Sequence, residues 1–387
     1  MKIAFLLRFW PHFGGGETVT RVLANALCKK GHVVCVYYLW GRNSGVKTEI
    51  DPNITARKVV GISESSKDGV IEKKYYKAIE EQFRAFCKED GIDIVINQWI
   101  PPKLCLKIVK GLDVKLITCL HTMVKYVPAK LKTLKEKVFY TIFGDNASYL
   151  RIYWKYKAGV LHSDRYVCLC KPYADDIVKL YKVKDKEKVV AIANPCAYGE
   201  APQDIINKKQ KEIIYVGRVI DIKRVDFLID IWKKIEDKDF AKDWKFTIVG
   251  EGPDLQYNKD YAKELGCKRV FFEGFKEPKE YYERASLFAF ASCQEGWGLV
   301  LVEAQVHGCV PVVMNSSPCF EYIIQDGQNG YLTPEKDKDQ FAAALEKLMS
   351  DDDLRKRAAL NAMESSKKYL ASNIVCEWEK LFNELYK

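Results

Sequence analysis

The stretch Glu295-Gly296-Trp297-Gly298-Leu299-Val300-Leu301-Val302-Glu303-Ala304, with Gly308-Cys309-Val310-Pro311-Val312-Val313 behind it, decides how this chain is read. A short apolar run at 287–291 precedes it and predicts a strand. Two glycines then form a loop, and the apolar run after Gly298 predicts a helix over 299–307. Gly308 stops that helix before a buried strand at 310–314. Backbone N–H groups at such a helix start, here those of Gly298, Leu299 and Val300, form a pocket for phosphate together with the helix dipole. Glu295 stands beside the pocket. Glu303, further along, can accept two hydrogen bonds from a vicinal diol such as a ribose. A plain strand–turn–helix with two solvated glutamates fits the same letters.

The alternation continues in both directions. Strands are expected at 2–7, 33–38, 54–60, 92–97, 115–120, 166–169 and 189–193, then at 212–216, 245–250, 270–273, 287–291 and 310–314. Helical periodicity marks 18–30, 73–89, 225–236, 255–265, 279–284, 299–307 and the tail after Ser372, and Gly31 supplies a left-handed stop. Strands alternating with helices imply parallel sheets with crossover helices, an α/β protein with doubly wound sheets. At 387 residues the chain exceeds one core, and the polar stretch 195–211 with its two prolines is the linker candidate. That gives domains at 1–196 and 197–371. Ligands bind such sheets beyond the carboxyl ends of the strands, so the loops after strands carry the chemistry.

Three of those loops stand out. Gly217-Arg218 follows a strand, with Lys223 five residues on; a glycine admits close approach, and two cations can converge on one diphosphate. Gly15 and Gly16 follow the first strand and open the next helix, a weakly specific pattern that is not GxGxxG. His121 follows the strand at 115–120. Gly250, Gly252 and Phe275 follow two further strands and could line the same cleft, although turn geometry also explains the glycines.

Composition narrows the classes. Residues 1–195 hold 34 Lys+Arg against 19 Asp+Glu, and residues 196–387 hold 28 against 33, so only the first half suits an anionic partner. The segment 123–157 interleaves eight Lys+Arg with aromatics, which fits peripheral contact with an anionic membrane as well as a helical pair with a solvated lysine face. No stretch approaches the roughly 18 apolar residues of a span. Thirteen scattered cysteines suit a reducing cytoplasm, with Cys168 and Cys170 read as core thiols alternating along a strand. The DxD pairs Asp237/Asp239 and Asp337/Asp339 lie in lysine-rich, solvated segments, so no metal is expected. The basic residues form no nucleic-acid reading module.

With these residues in hand, the chain resembles glycosyltransferase family 4, retaining enzymes of the GT-B fold, in which two Rossmann-like domains face each other across a cleft. The resemblance rests on Glu295 and Glu303 at their spacing within EGWGLVLVEA, then Gly308 and Pro311. Gly217-Arg218 with Lys223, Gly250-Glu251-Gly252 and Gly15-Gly16 add to it. It implies that Arg218 and Lys223 hold the diphosphate of a UDP-sugar, Glu303 the ribose, and Glu295 the donor sugar and phosphate side. His121 would face the transferred sugar, and no metal would be needed. It further implies a glycan or lipid-linked acceptor on the first domain and a final helix, 372–387, packing back on that domain. A sugar-nucleotide epimerase and a non-catalytic relative are the alternatives. Cys170, Ala197 and Arg224 stand where similar proteins often have serine, aspartate and glycine.

Overall fold

The computed structural model describes residues 1–11, 14–41, 49–64, 70–124, 134–144 and 146–387. The chain divides into two compact units, Met1–Ala197 with Ala371–Lys387, and Tyr198–Leu370.

The first unit is built on β1 (Lys2–Phe9), where Ile3 to Leu7 are fully buried. Such an unbroken apolar run belongs to a central parallel strand, covered on both faces. After it come α1 (Gly15–Lys29), β2 (Val33–Trp40), β3 (Thr55–Lys58), α2 (Tyr76–Asp90), β4 (Ile94–Asn97), α3 (Pro102–Val109) and β5 (Lys115–Cys119). The unit continues with α4 (Leu134–Phe143), α5 (Asn146–His162), β6 (Arg165–Cys168), α6 (Lys171–Tyr181) and β7 (Val189–Ala191). The strands pair in parallel in the order β3-β2-β1-β4-β5-β6-β7. Helix α1 starts three residues before the expected 18, which places Gly15 and Gly16 inside its first turn. Gly31 follows it at φ +86°, the left-handed stop. Cys170 is not on a strand: it is the N-cap of α6, buried like Cys168, and all thirteen cysteines are free thiols.

The second unit holds β8 (Gln210–Val216), α7 (Val225–Ile235), β9 (Lys245–Val249), α8 (Leu255–Glu264), β10 (Val270–Gly274), α9 (Lys279–Arg284) and β11 (Ala285–Phe290). It ends with α10 (Leu299–Val306), β12 (Val310–Met314), α11 (Pro318–Ile323), β13 (Tyr331–Thr333), α12 (Lys338–Ser350) and α13 (Asp352–Ser366). Its strands run in the parallel order β10-β9-β8-β11-β12-β13. The sequence did not signal β13, a three-residue edge strand too short to show an alternation. The stretch 195–211 is less irregular than its composition suggests: the border between the units falls after Ala197, residues Gln203–Lys208 form a 3-10 helix, and β8 begins at Gln210.

A last helix, α14 (Ala371–Glu384), completes the first unit by packing against α1. Trp378, Leu381 and Phe382 are buried, the Phe382 ring meets the His32 ring edge-on, and His32 Nε2 lies 3.2 Å from Glu379 Oε1. Among the described residues no helix is long and apolar enough to cross a membrane.

Candidate functional site

In the second unit the chain leaves β8 for β9 and β10 on one side and returns to β11 on the other. The switch point, where open parallel sheets bind their ligands, therefore falls between the carboxyl ends of β8 and β11. The loop after β8 carries Arg218 and Lys223, and the loop after β11 carries Glu295. The two loops are tied at the backbone, where Cys293 N donates to Ile222 O at 2.8 Å. Their side chains meet as well: Lys223 Nζ donates to Glu295 Oε1, both residues being mostly shielded, and stands 5.5 Å from the centroid of the Phe290 ring. Arg218 is exposed, and its guanidinium has no hydrogen-bond or ion-pair partner among the described residues. One cation at this place is thus neutralised and the other is not.

The glycines of these loops follow from backbone crowding. Gly250 has φ +148°, and a Cβ there would stand 1.8 Å from the Gly217 carbonyl oxygen. A Cβ on Gly252 would stand 2.1 Å from the Val219 oxygen. The loops after β8 and β9 interlock through Gly217 N to Val249 O at 3.0 Å and Val219 N to Glu251 O at 2.8 Å. No side chain fits between carbonyls so close. This accounts for Gly250 and Gly252 by packing. Phe275 follows β10, the strand at the edge of the sheet two places from β8, and is exposed there.

Gly298 caps α10 at φ +91° with no side-chain hydrogen bond at the cap, so Leu299 and Val300 open a helix of eight residues. Helix α10 is buried nearly all round and packs against α13. Glu303 lies on it and is only 8% exposed, so neither it nor Glu295 is the solvated glutamate that a plain turn would leave. Tyr282 of α9 donates its hydroxyl to Glu303 Oε2 at 3.0 Å. Burial pushes the Glu303 carboxyl up to about 7, against the pull of the Tyr282 hydrogen bond. His307 Nδ1 donates to the Glu303 carbonyl at 2.8 Å, and its ring stacks on Tyr282 with centroids 5.7 Å apart. Nothing in the pattern of residues singles out Tyr282, since the pair Tyr281-Tyr282 does not say which ring turns toward α10.

The first unit has its own switch point, between β1 and β4. Gly16 is fixed there by close approach, since a Cβ would lie 2.5 Å from the indole nitrogen of Trp99 in the loop after β4. His121, after β5, stacks on Trp99 with centroids 5.0 Å apart, and its Nε2 donates to Gln98 Oε1. That fixes the tautomer and leaves Nδ1 as an acceptor. His121 Nδ1 and Trp99 Nε1 are buried without a partner among the described residues. Burial holds the His121 imidazole down to about 4, so it is uncharged at neutral pH. Gln98 and Trp99 were missed by sequence reasoning; their position directly after a central strand was the available signal. His12 and much of 123–157 lie outside the described residues, but α4 and α5 expose Val138, Ile142, Phe143 and Trp154.

The aspartate pairs serve other ends. Asp237 is ion-paired with Lys233 and Lys268, Asp239 with Lys242 and Asp339 with Lys234, while Asp337 caps α12.

Residues 13–196 match the family model described as Glycosyltransferase Family 4, and residues 200–365 match Glycosyl transferases group 1. A curated relative, the GalNAc-α-(1→4)-GalNAc-α-(1→3)-diNAcBac-PP-undecaprenol α-1,4-N-acetyl-D-galactosaminyltransferase of Campylobacter jejuni, is 26% identical over 100% of this chain and 99% of its own. Among solved structures, TarM of S. aureus in complex with fondaparinux, α-GlcNAc-glycerol and UDP is similar at TM-score 0.77 and 15% identity, covering 99% of this chain and 100% of that one. HepE of Anabaena in complex with UDP and glucose is similar at TM-score 0.71 and 16% identity, covering 99% of each.

Proposed function

The chain belongs to the family 4 type of GT-B glycosyltransferases, and from that membership we propose that it moves a hexose from a UDP-sugar to a lipid-linked glycan in cell-surface polysaccharide synthesis with net retention. The observation that carries this reading is the loop pair at the β8/β11 switch point, where the loop after β8 brings Lys223 to Glu295, three residues before the N-cap of α10, and also carries Arg218, unpaired among the described residues. The donor diphosphate lies against the amides of Leu299 and Val300, with Arg218 and Lys223 neutralising its charge. Glu295 sits at the sugar and phosphate side and Glu303 takes the ribose. In the first unit, neutral His121 is the residue the family resemblance assigns to the transferred sugar, with Nδ1 as its acceptor.

In the transfer, the acceptor oxygen forms its bond to the anomeric carbon on the face from which the diphosphate departs. The bond from that carbon to the phosphate oxygen breaks with its electron pair on the diphosphate, and the acceptor's hydroxyl proton passes to the departing oxygen. Charge builds on the leaving group in the transition state, which is where two fixed cations contribute most. Calorimetric titration with UDP, GDP and ADP tests the site: UDP binds best, and Arg218→Ala and Glu303→Ala each weaken it. Unchanged binding in both variants discards the assignment, and an inverted anomer in the NMR spectrum of the product discards retention.

The lipid-linked acceptor has a second support. Trp154 and Ile142 are 68% and 66% exposed on α5 and α4, and Lys157 lies over the rings of Tyr153 and Trp154. Exposed apolar side chains among lysines suit an anionic bilayer surface. Vesicles of anionic lipid retain the protein at low salt and release it at high salt; no retention at low salt removes membrane contact from the proposal.

A further inference from the structure

The ribose assignment leaves open how a carboxylate on an almost wholly buried helix is held ready. Glu303 Oε2 is already taken by the Tyr282 hydroxyl, while Oε1 accepts no hydrogen bond among the described residues. Tyr282 is itself fully buried and cannot swing away: its ring packs against those of Phe288, His307 and Tyr198, and Lys209 Nζ donates to its carbonyl at 2.6 Å. Helix α10 is anchored from the other side, because His307 donates to the Glu303 carbonyl.

We propose that Tyr282 is a positioning residue for Glu303, holding Oε2 so that Oε1 alone meets a ribose hydroxyl, and that nucleotide binding is thereby coupled to release of a proton from this carboxyl. The inference rests on the donor-site reading given above. Two donors, the tyrosine hydroxyl and the ribose hydroxyl, converge on one carboxyl group, and both favour its ionised form. Without nucleotide only the tyrosine is present, and the carboxyl is the one that burial pushes up to about 7. The groups around it do not supply a compensating cation. Glu277, before α9, adds negative charge and is itself hydrogen-bonded by Tyr198 at 2.8 Å. His307 is held neutral by burial, and Lys209 is turned to the Tyr282 carbonyl and the Cys309 thiol. The second donor therefore has to come from the ligand.

The probe is UDP, set against 2′-deoxy-UDP, titrated calorimetrically between pH 6 and 8 in buffers of differing ionisation enthalpy. Wild type releases close to one proton per UDP bound below pH 7, and its affinity falls with acidification by at most roughly tenfold per pH unit. Tyr282→Phe weakens UDP roughly tenfold at pH 7.5, moves the pH dependence upward, and narrows the preference for UDP over 2′-deoxy-UDP. Glu303→Gln removes the carboxyl's share of the proton release and of the pH dependence, leaving only the share from UDP's own terminal phosphate, which titrates at about 6. If Glu303→Gln weakens UDP while Tyr282→Phe keeps the wild-type pH profile and ribose preference, the positioning role is wrong and the donor site stands. If neither variant alters UDP binding, the donor-site reading falls first. Absence of proton release from the wild type overturns the coupling without recourse to a variant.

Discussion

His121 in the first unit is half-buried with its Nδ1 shielded, Glu303 in the second is buried, and the loss of water acts on them in opposite directions. The imidazole is pressed down to about 4 and stays neutral, with Nε2 donating to Gln98 and Nδ1 left as an acceptor. The carboxyl is pressed up to about 7, where a single added hydrogen bond decides its charge. The same cost of burying charge yields an inert polar surface in one place and a titrating one in the other. The charged groups differ as well: the second unit ties Lys223 to Glu295 at its switch point and carries Arg218 in the same loop, while the first places Arg8 over the Trp99 ring beside Gln98 and His121.

The sharpest way to separate the two regions is through their glycines. Gly250→Ala drives a Cβ into a backbone carbonyl that cannot yield, so a loss above about 4 kcal/mol in denaturant unfolding is expected, enough to disorder the second unit. Gly16→Ala meets the Trp99 side chain first, and about 1–3 kcal/mol follows. Equal losses would break the distinction between backbone and side-chain crowding. Next in size, Lys223→Ala is expected to cut turnover by roughly 100- to 1000-fold, as loss of one charge-stabilising group does, and His121→Gln by less. A reversed ranking in steady-state rates would move the main charge stabilisation to the first unit.

The pH dependence of stability has opposite signs in the two places. Between about 4 and 6.5 the unfolded chain protonates His121 while the folded one does not, so acidification through that window destabilises the protein. Between 4.5 and about 7 the folded chain keeps the Glu303 proton that the unfolded chain loses, so raising the pH through that window destabilises it. Each contributes on the order of 1–3 kcal/mol. His121→Gln flattens the acid limb of unfolding free energy against pH, and Glu303→Gln flattens the limb that falls toward neutrality; one variant flattening both would merge the sites. The smallest effect belongs to Trp154→Ala, which leaves stability within about 0.5 kcal/mol and lowers retention on anionic vesicles. A large loss of stability there would make Trp154 a packing residue.

The sequence and the structure agree most closely where local chemistry sets the answer. Buried strands such as β1 and β12 announce themselves as unbroken apolar runs, and Gly31, Gly298 and Gly308 punctuate the chain where positive φ is needed. Helices α11 to α13 and the edge strand β13 did not announce themselves, because short elements and helices rich in alanine and charge lack a clear period. At the candidate site, Lys223 and Glu295 could be picked out as loop residues after strands, but their pairing depends on β8 and β11 being neighbours, a fact of topology. Tyr282 and Trp99 were out of reach for the same reason: each acts on a residue about 20 positions away in sequence, Glu303 and His121 respectively, reached only through the fold.

The last helix has a consequence for how the molecule is made. Trp378 and Phe382 fill a surface of the first unit, yet they leave the ribosome only after all of Tyr198–Leu370 has emerged. The nascent first unit must therefore wait with the α1 face bare until the whole of its successor has been synthesised. A chain released after residue 370 would carry every residue of the second unit beside a first unit lacking α14, with the face of α1 that α14 covers left bare.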